Sequence, residues 1–115
     1  MSNLSNNFIA GDWVDGEETI PVLNPFNNEE IDSIPKATAT HGETALAYAV
    51  EGAKQIRKLS GYDRYQLLMR VAQLMKENTA DLAQTITLEE GKILSESTFE
   101  VSRAIETMIC SAEES

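Results

Sequence analysis

The spacing of the apolar residues changes character once along this chain, at Thr38. Before it, apolar residues come in short runs broken by Gly, Asn, Asp and Pro. After it, they recur three and four apart to the end. Period two lays side chains on one face of a strand, whereas period 3.6 lays them on one face of a helix. The spacing therefore predicts an α+β class, with short antiparallel β-hairpins followed by three to four helices.

Residues 1–7 are polar and predict a disordered tail; residues 8–115 form the folded part. Phe8 to Val14 predicts two short strands around a turn at Ala10-Gly11-Asp12, and Asp15-Gly16 is a second turn signal. Thr19 to Leu23 is rich in β-branched residues and predicts a strand. Pro21 gives it an edge position, because proline offers no ladder donor. Asn24 to Glu30 is the connecting turn, and Ile31 to Ile34 the return strand, stopped by Pro35.

Thr40-His41-Gly42-Glu43 fits a capping box at the start of the first helix. Ala45, Leu46, Ala49, Val50, Ala53 and Ile56 then form one apolar stripe, and Ser60-Gly61 is the stop. Leu67, Leu68, Val71, Leu74 and Met75 mark a second helix, with Arg64, Arg70 and Lys76 on its solvated flank. Asn78-Thr79 breaks or caps. A third helix carries Leu82, Ala83 and Ile86 up to Gly91, which fits a left-handed stop. Val101, Ala104, Ile105, Met108, Ile109 and Ala112 mark a fourth, running into the chain end without a stop signal.

A chain of 115 residues holds one domain at most, and a hydrophobic fraction of 42% argues against global disorder. Nineteen acidic against nine basic residues give a formal charge of −10, which excludes nucleic acid and anionic membrane as partners. The first residues lack a basic stretch and an apolar stretch, so no secretory signal is expected there. No stretch is apolar enough for a membrane span. A single cysteine, Cys110, fits a reducing, cytoplasmic setting.

Four acidic pairs, Glu17-Glu18, Glu29-Glu30, Glu89-Glu90 and Glu113-Glu114, fall in turns or helix ends. Adjacent residues point in different directions, so these read as solvated surface rather than as acid/base pairs. His41 is the only histidine, so no His-rich metal site can form, and its place in a first helical turn fits an exposed role. Cys110, between Ile109 and Ala112, reads as a small buried hydrophobe. It lies near a helix carboxyl terminus, where the dipole disfavours a thiolate. No phosphate-cradling glycine loop and no Ser/His/Asp set can be assembled, so the residues alone show no catalytic group.

Several motifs in order and spacing resemble the amino-terminal portion of the aldehyde dehydrogenase superfamily. Phe8-Ile9-Ala10-Gly11-Asp12-Trp13-Val14-Asp15-Gly16 is similar to its first hairpin. Val22-Leu23-Asn24-Pro25 with Glu30-Ile31 is similar to its second. Arg64 before Leu67-Leu68 is similar to the opening of its second helix. Thr87-Leu88-Glu89-Glu90-Gly91-Lys92 resembles its Glu-rich helix end, and Glu100-Val101 the acid-plus-aliphatic pair that follows. Two departures stand out. Ile93 occupies a position where many members have proline, and Met108 to Ala112 lacks an aromatic pair common in that helix.

The resemblance implies the amino-terminal part of an NAD(P)-binding domain in an aldehyde dehydrogenase-like α/β fold. The parent would be an enzyme in which a cysteine thiolate attacks the aldehyde, hydride passes to NAD or NADP, and a glutamate-activated water releases the acid. The family's nucleophile, general base and nucleotide-binding segment lie beyond the matching part. Cys110 is not at the catalytic position, and neither catalytic residues nor cofactor binding are expected of this chain alone. Its partners would be the remainder of the fold and, in the parent, further copies in a homo-oligomer. By the same resemblance the carbonyls of Val22 and Leu23 and the carboxylate of Glu100 correspond to a monovalent-cation site found in some members. For Glu100 the alternative is a capping or salt-bridging carboxylate. The rival reading of the whole chain is a non-enzymatic helical protein-binding module or a shortened structural subunit.

Overall fold

The computed structural model describes residues 6–115. It holds four strands followed by four helices, the α+β organisation expected from the spacing. Where the length suggested one core, the residues group into two compact units that divide after Arg57.

The first unit begins with β1 (Asn7–Ile9) and β2 (Asp12–Val14), antiparallel with Phe8 opposite Trp13. Ala10 and Gly11 join them with φ of 58° and 95°, the pair of positive angles that matches a two-residue hairpin to strand twist. Asp12 therefore belongs to β2, not to the turn. The Phe8 and Trp13 rings pack across the strands at 5.0 Å, inclined by 56°. Asn7, assigned above to the disordered tail, pairs with Val14 instead, and its side-chain amide donates to the Pro35 carbonyl at 3.0 Å. The rest of that expected tail, residues 1–5, lies outside the described residues.

β3 (Thr19–Leu23) and β4 (Glu30–Pro35) form a second antiparallel pair. Val22 faces Asp32 but Leu23 faces Glu30, so Ile31 is the extra residue of a bulge. Pro35 does not stop the strand early. It is the last strand residue, buried and opposite Thr19, and the Lys36 amide extends the ladder to the Glu18 carbonyl at 2.8 Å. Proline is tolerated here, as Pro21 is, because a two-stranded sheet consists only of edges.

α1 (Ala39–Ile56) is capped two residues before the expected box. Its cap is Thr38, whose hydroxyl accepts the His41 amide at 3.2 Å while His41 Nδ1 accepts the Thr38 amide at 3.3 Å. The helix buries none of its residues: Leu46 is 67% exposed, Val50 55% and Ile56 45%. It ends at Ile56, so Ser60-Gly61 is not its stop.

Those two residues open the first helix of the second unit. Ser60 caps α2 (Gly61–Glu77) through a reciprocal box with Asp63, each side chain accepting the other residue's amide at 3.1–3.2 Å. Arg64, expected on the solvated flank, donates from Nη1 to the Leu59 carbonyl at 2.7 Å. Asn78 ends α2 and begins α3 (Thr79–Glu90), donating its side-chain amide to the Leu74 carbonyl at 2.8 Å. Gly91 closes α3 in the left-handed region at φ 74°. α4 (Leu94–Glu113) packs on both α2 and α3. The core is small: Ala72 of α2, Ala83 of α3, and Val101 and Ile105 of α4, flanked by Met75, Ile86, Met108 and Ile109.

Candidate functional site

The α3–α4 turn gathers two carboxylates around one lysine. Gly91 turns the chain left-handed, which brings the next residue, Lys92, against the start of α4. Lys92 Nζ contacts Glu90 at 2.8 Å and also Glu100, one and a half turns into α4 from Leu94. The hydrogen bond to Glu100, then that to Glu90, holds the ammonium protonated well above the ordinary lysine range. Below this cluster Thr87 and Ser97 join hydroxyls at 2.8 Å, and Ser97 is fully buried.

Glu100 is thus a salt-bridging carboxylate in this structure, with its side chain about half exposed. Val22 and Leu23 sit in the first unit on either side of the β3–β4 bulge. The chain just beyond them is locally braced. Asn24 Oδ1 accepts the Phe26 amide at 2.9 Å, its backbone amide reaches the Glu29 carbonyl at 2.9 Å, and Asn28 adopts φ 58°. That Asx turn fixes the Asn24-Pro25 corner.

Other candidates fall out differently. His41 is a helix cap, half-buried at the side of an open groove of about 590 Å³ that Asp15, Glu17, Glu18 and Lys36 also line. Cys110 is exposed, contrary to the buried reading. It lies two and a half turns beyond Val101, on the opposite side of α4 from that core residue. Glu18 pairs with Lys36 at 2.8 Å on the surface, and Glu89, Glu113 and Glu114 are exposed, as solvated positions would be. Among the described residues no helix is long and apolar enough to cross a membrane. The residue that sequence reasoning missed is Lys92 as the centre of a charge cluster. Its only signals were the glycine stop before it and acids at positions 90 and 100.

Residues 13–115 match the family model for the aldehyde dehydrogenase family. A lactaldehyde dehydrogenase of Methanococcus aeolicus is 37% identical over 105 residues, taking in 91% of this chain and 22% of that protein. An NADP(+) succinate-semialdehyde dehydrogenase of Escherichia coli is 36% identical over 108 residues, 92% of this chain and 22% of that one. Among solved structures, aldehyde dehydrogenase 21 of Physcomitrella patens, in complex with the product succinate, superposes with a TM-score of 0.90 at 33% identity. It takes in 95% of this chain and 23% of that one. Betaine aldehyde dehydrogenase of Staphylococcus aureus, in complex with NAD+, gives 0.89 at 25% identity, with 95% and 23% covered. The chain spans about a fifth of the length of the curated relatives it matches. With a family match over most of its length, this chain belongs to the aldehyde dehydrogenase family.

Proposed function

We propose that this chain is the amino-terminal scaffold segment of an NAD(P)-dependent aldehyde dehydrogenase that oxidises an aldehyde to a carboxylic acid, and that it is inactive by itself. The observation that carries the reading is a family match running over nearly the whole chain yet spanning about a fifth of the relatives. The relatives' names cite several aldehydes, including lactaldehyde, malonate semialdehyde and succinate semialdehyde, which supports the aldehyde class as substrate. In such an enzyme the nicotinamide accepts the hydride. The residues present here supply hairpins and helices against which the remainder of the fold packs. A cytoplasmic, homo-oligomeric parent belongs to the same reading.

Within it, the Val22 and Leu23 carbonyls and Glu100 would hold a monovalent cation, and Lys92 competes with that ion for the Glu100 carboxylate. The test of the main reading is NAD(P)+ reduction with a panel of small aldehydes, comparing the full-length gene product with residues 1–115. Turnover by the first and none by the second supports the proposal. Turnover by the isolated chain that disappears in Cys110→Ala overturns it.

A further inference from the structure

α1 is capped by an unusual reciprocal pair. A capping box ordinarily carries Glu or Gln at the third helical position, and such a side chain keeps an acceptor through the neutral range. Here that position is His41, and its acceptor is Nδ1, which receives the Thr38 amide at 3.3 Å. An imidazole nitrogen accepts only while it carries no proton, so the cap requires neutral His41 with its hydrogen on Nε2. We propose that this pair is a proton-sensitive cap, in which protonation of His41 opens half of the box and loosens the first turn of α1.

Two effects act in the same direction. A proton on Nδ1 turns the acceptor into a second donor facing the Thr38 N–H. It also places a positive charge at the positive end of the helix dipole. The other half of the box, Thr38 Oγ1 accepting the His41 amide at 3.2 Å, does not depend on the imidazole and survives. The groove beside His41 carries Asp15, Glu17, Glu18 and Lys36, the last two already paired at 2.8 Å. Its carboxylates offer the imidazolium a competing set of acceptors. Glu43 lies two residues on in α1, and β1, which packs against α1, is Asn7-Phe8-Ile9 and brings no titratable side chain. His41 is the only histidine of the 115 residues, so a response in step with imidazole titration belongs to it. Only Lys36 and Ala37 separate β4 from the cap, so the join between strands and helix loosens with it.

The experiment is amide hydrogen exchange at Thr38 in the 115-residue chain, followed with the His41 ring signals across the imidazole titration. His41→Gln is the reference, because its side chain keeps an acceptor without titrating. On acidification the wild-type to His41→Gln exchange ratio at Thr38 should rise about two- to thirtyfold, the range that capping energies span. The rise should track the His41 ring shift. A constant ratio overturns the proposal, as does a rise that does not follow that shift.

Discussion

The hydroxyls of Thr87 and Ser97 meet at 2.8 Å between α3 and α4, and Ser97 is the one fully buried polar side chain among the described residues. The pair fastens the two helices on the core side of the Gly91 turn. Ser97 Oγ also reaches the Ile93 carbonyl at 3.4 Å, so neither hydroxyl is stranded. Removing one member leaves the other's polar group partly buried without its partner, which costs more than removing both. Ser97→Ala and Thr87→Val should each destabilise by about 1–3 kcal/mol, and the double variant by less than their sum. Amide exchange in α3 and α4 measures this, and strict additivity would show that the two hydroxyls are not coupled.

Gly91→Ala should also be costly. At φ 74° a Cβ crowds the following carbonyl, by about 1–2 kcal/mol, and no other residue type relieves it fully. The loss should be local, appearing as faster exchange at the end of α3 and the start of α4. Gly91→Asn, which tolerates the left-handed region, should recover part of it. Equal effects of Ala and Asn would argue against backbone strain as the cause.

Lys92 sets a pH dependence whose sign follows from its partners. Its folded-state pKa is raised, chiefly by Glu100 and then by Glu90. The stability it contributes is therefore fully present below the unfolded lysine value of about 10.4, and is lost as pH rises through the higher folded value. The difference in Tm between wild type and Lys92→Met should be constant from neutral pH, where Glu100 and Glu90 are ionised, up to that point and shrink above it. In the proposed parent enzyme with its proposed cation site, Glu100→Gln should also abolish any difference in Tm between potassium or sodium and a bulky organic cation at matched ionic strength. An unchanged Tm across these salts in both forms would leave Glu100 as a salt-bridging carboxylate only.

The legibility of this chain follows the strength of its local signals. Thr19 to Leu23 and Gly91 could be read directly, because β-branched residues and a glycine after a helical stripe each have one strong preference. Thr38 is hard to read as a cap because Thr40 three residues before Glu43 matches the usual box, whereas the molecule uses histidine in the acid's place. Ser60-Gly61 fits a stop as well as a start, because the same residues serve either end of a helix. The choice for a start was made by Asp63, three residues on. Cys110 has apolar neighbours in sequence, but on α4 they face other directions than it does. The bulge at Ile31 and the Lys92 cluster depend on how the chain folds back across a turn, so no pattern within one element announces them.

The central claim is that residues 1–115 are a scaffold whose apolar faces need the remainder of an aldehyde dehydrogenase fold. Besides Pro35, five apolar residues are buried among the described residues, three of them alanines, while Leu46, Val50, Tyr62, Leu67, Ile93, Leu94 and Phe99 are more than half exposed. Burying each such side chain is worth about 1.5–3 kcal/mol, a strong drive to associate. The most direct measurement is sedimentation of the purified chain combined with hydrophobic-dye binding and a thermal melt. The scaffold account predicts self-association or dye binding, together with a broad transition. A monomer that binds no dye and melts sharply would contradict it, and would favour an autonomous binding module.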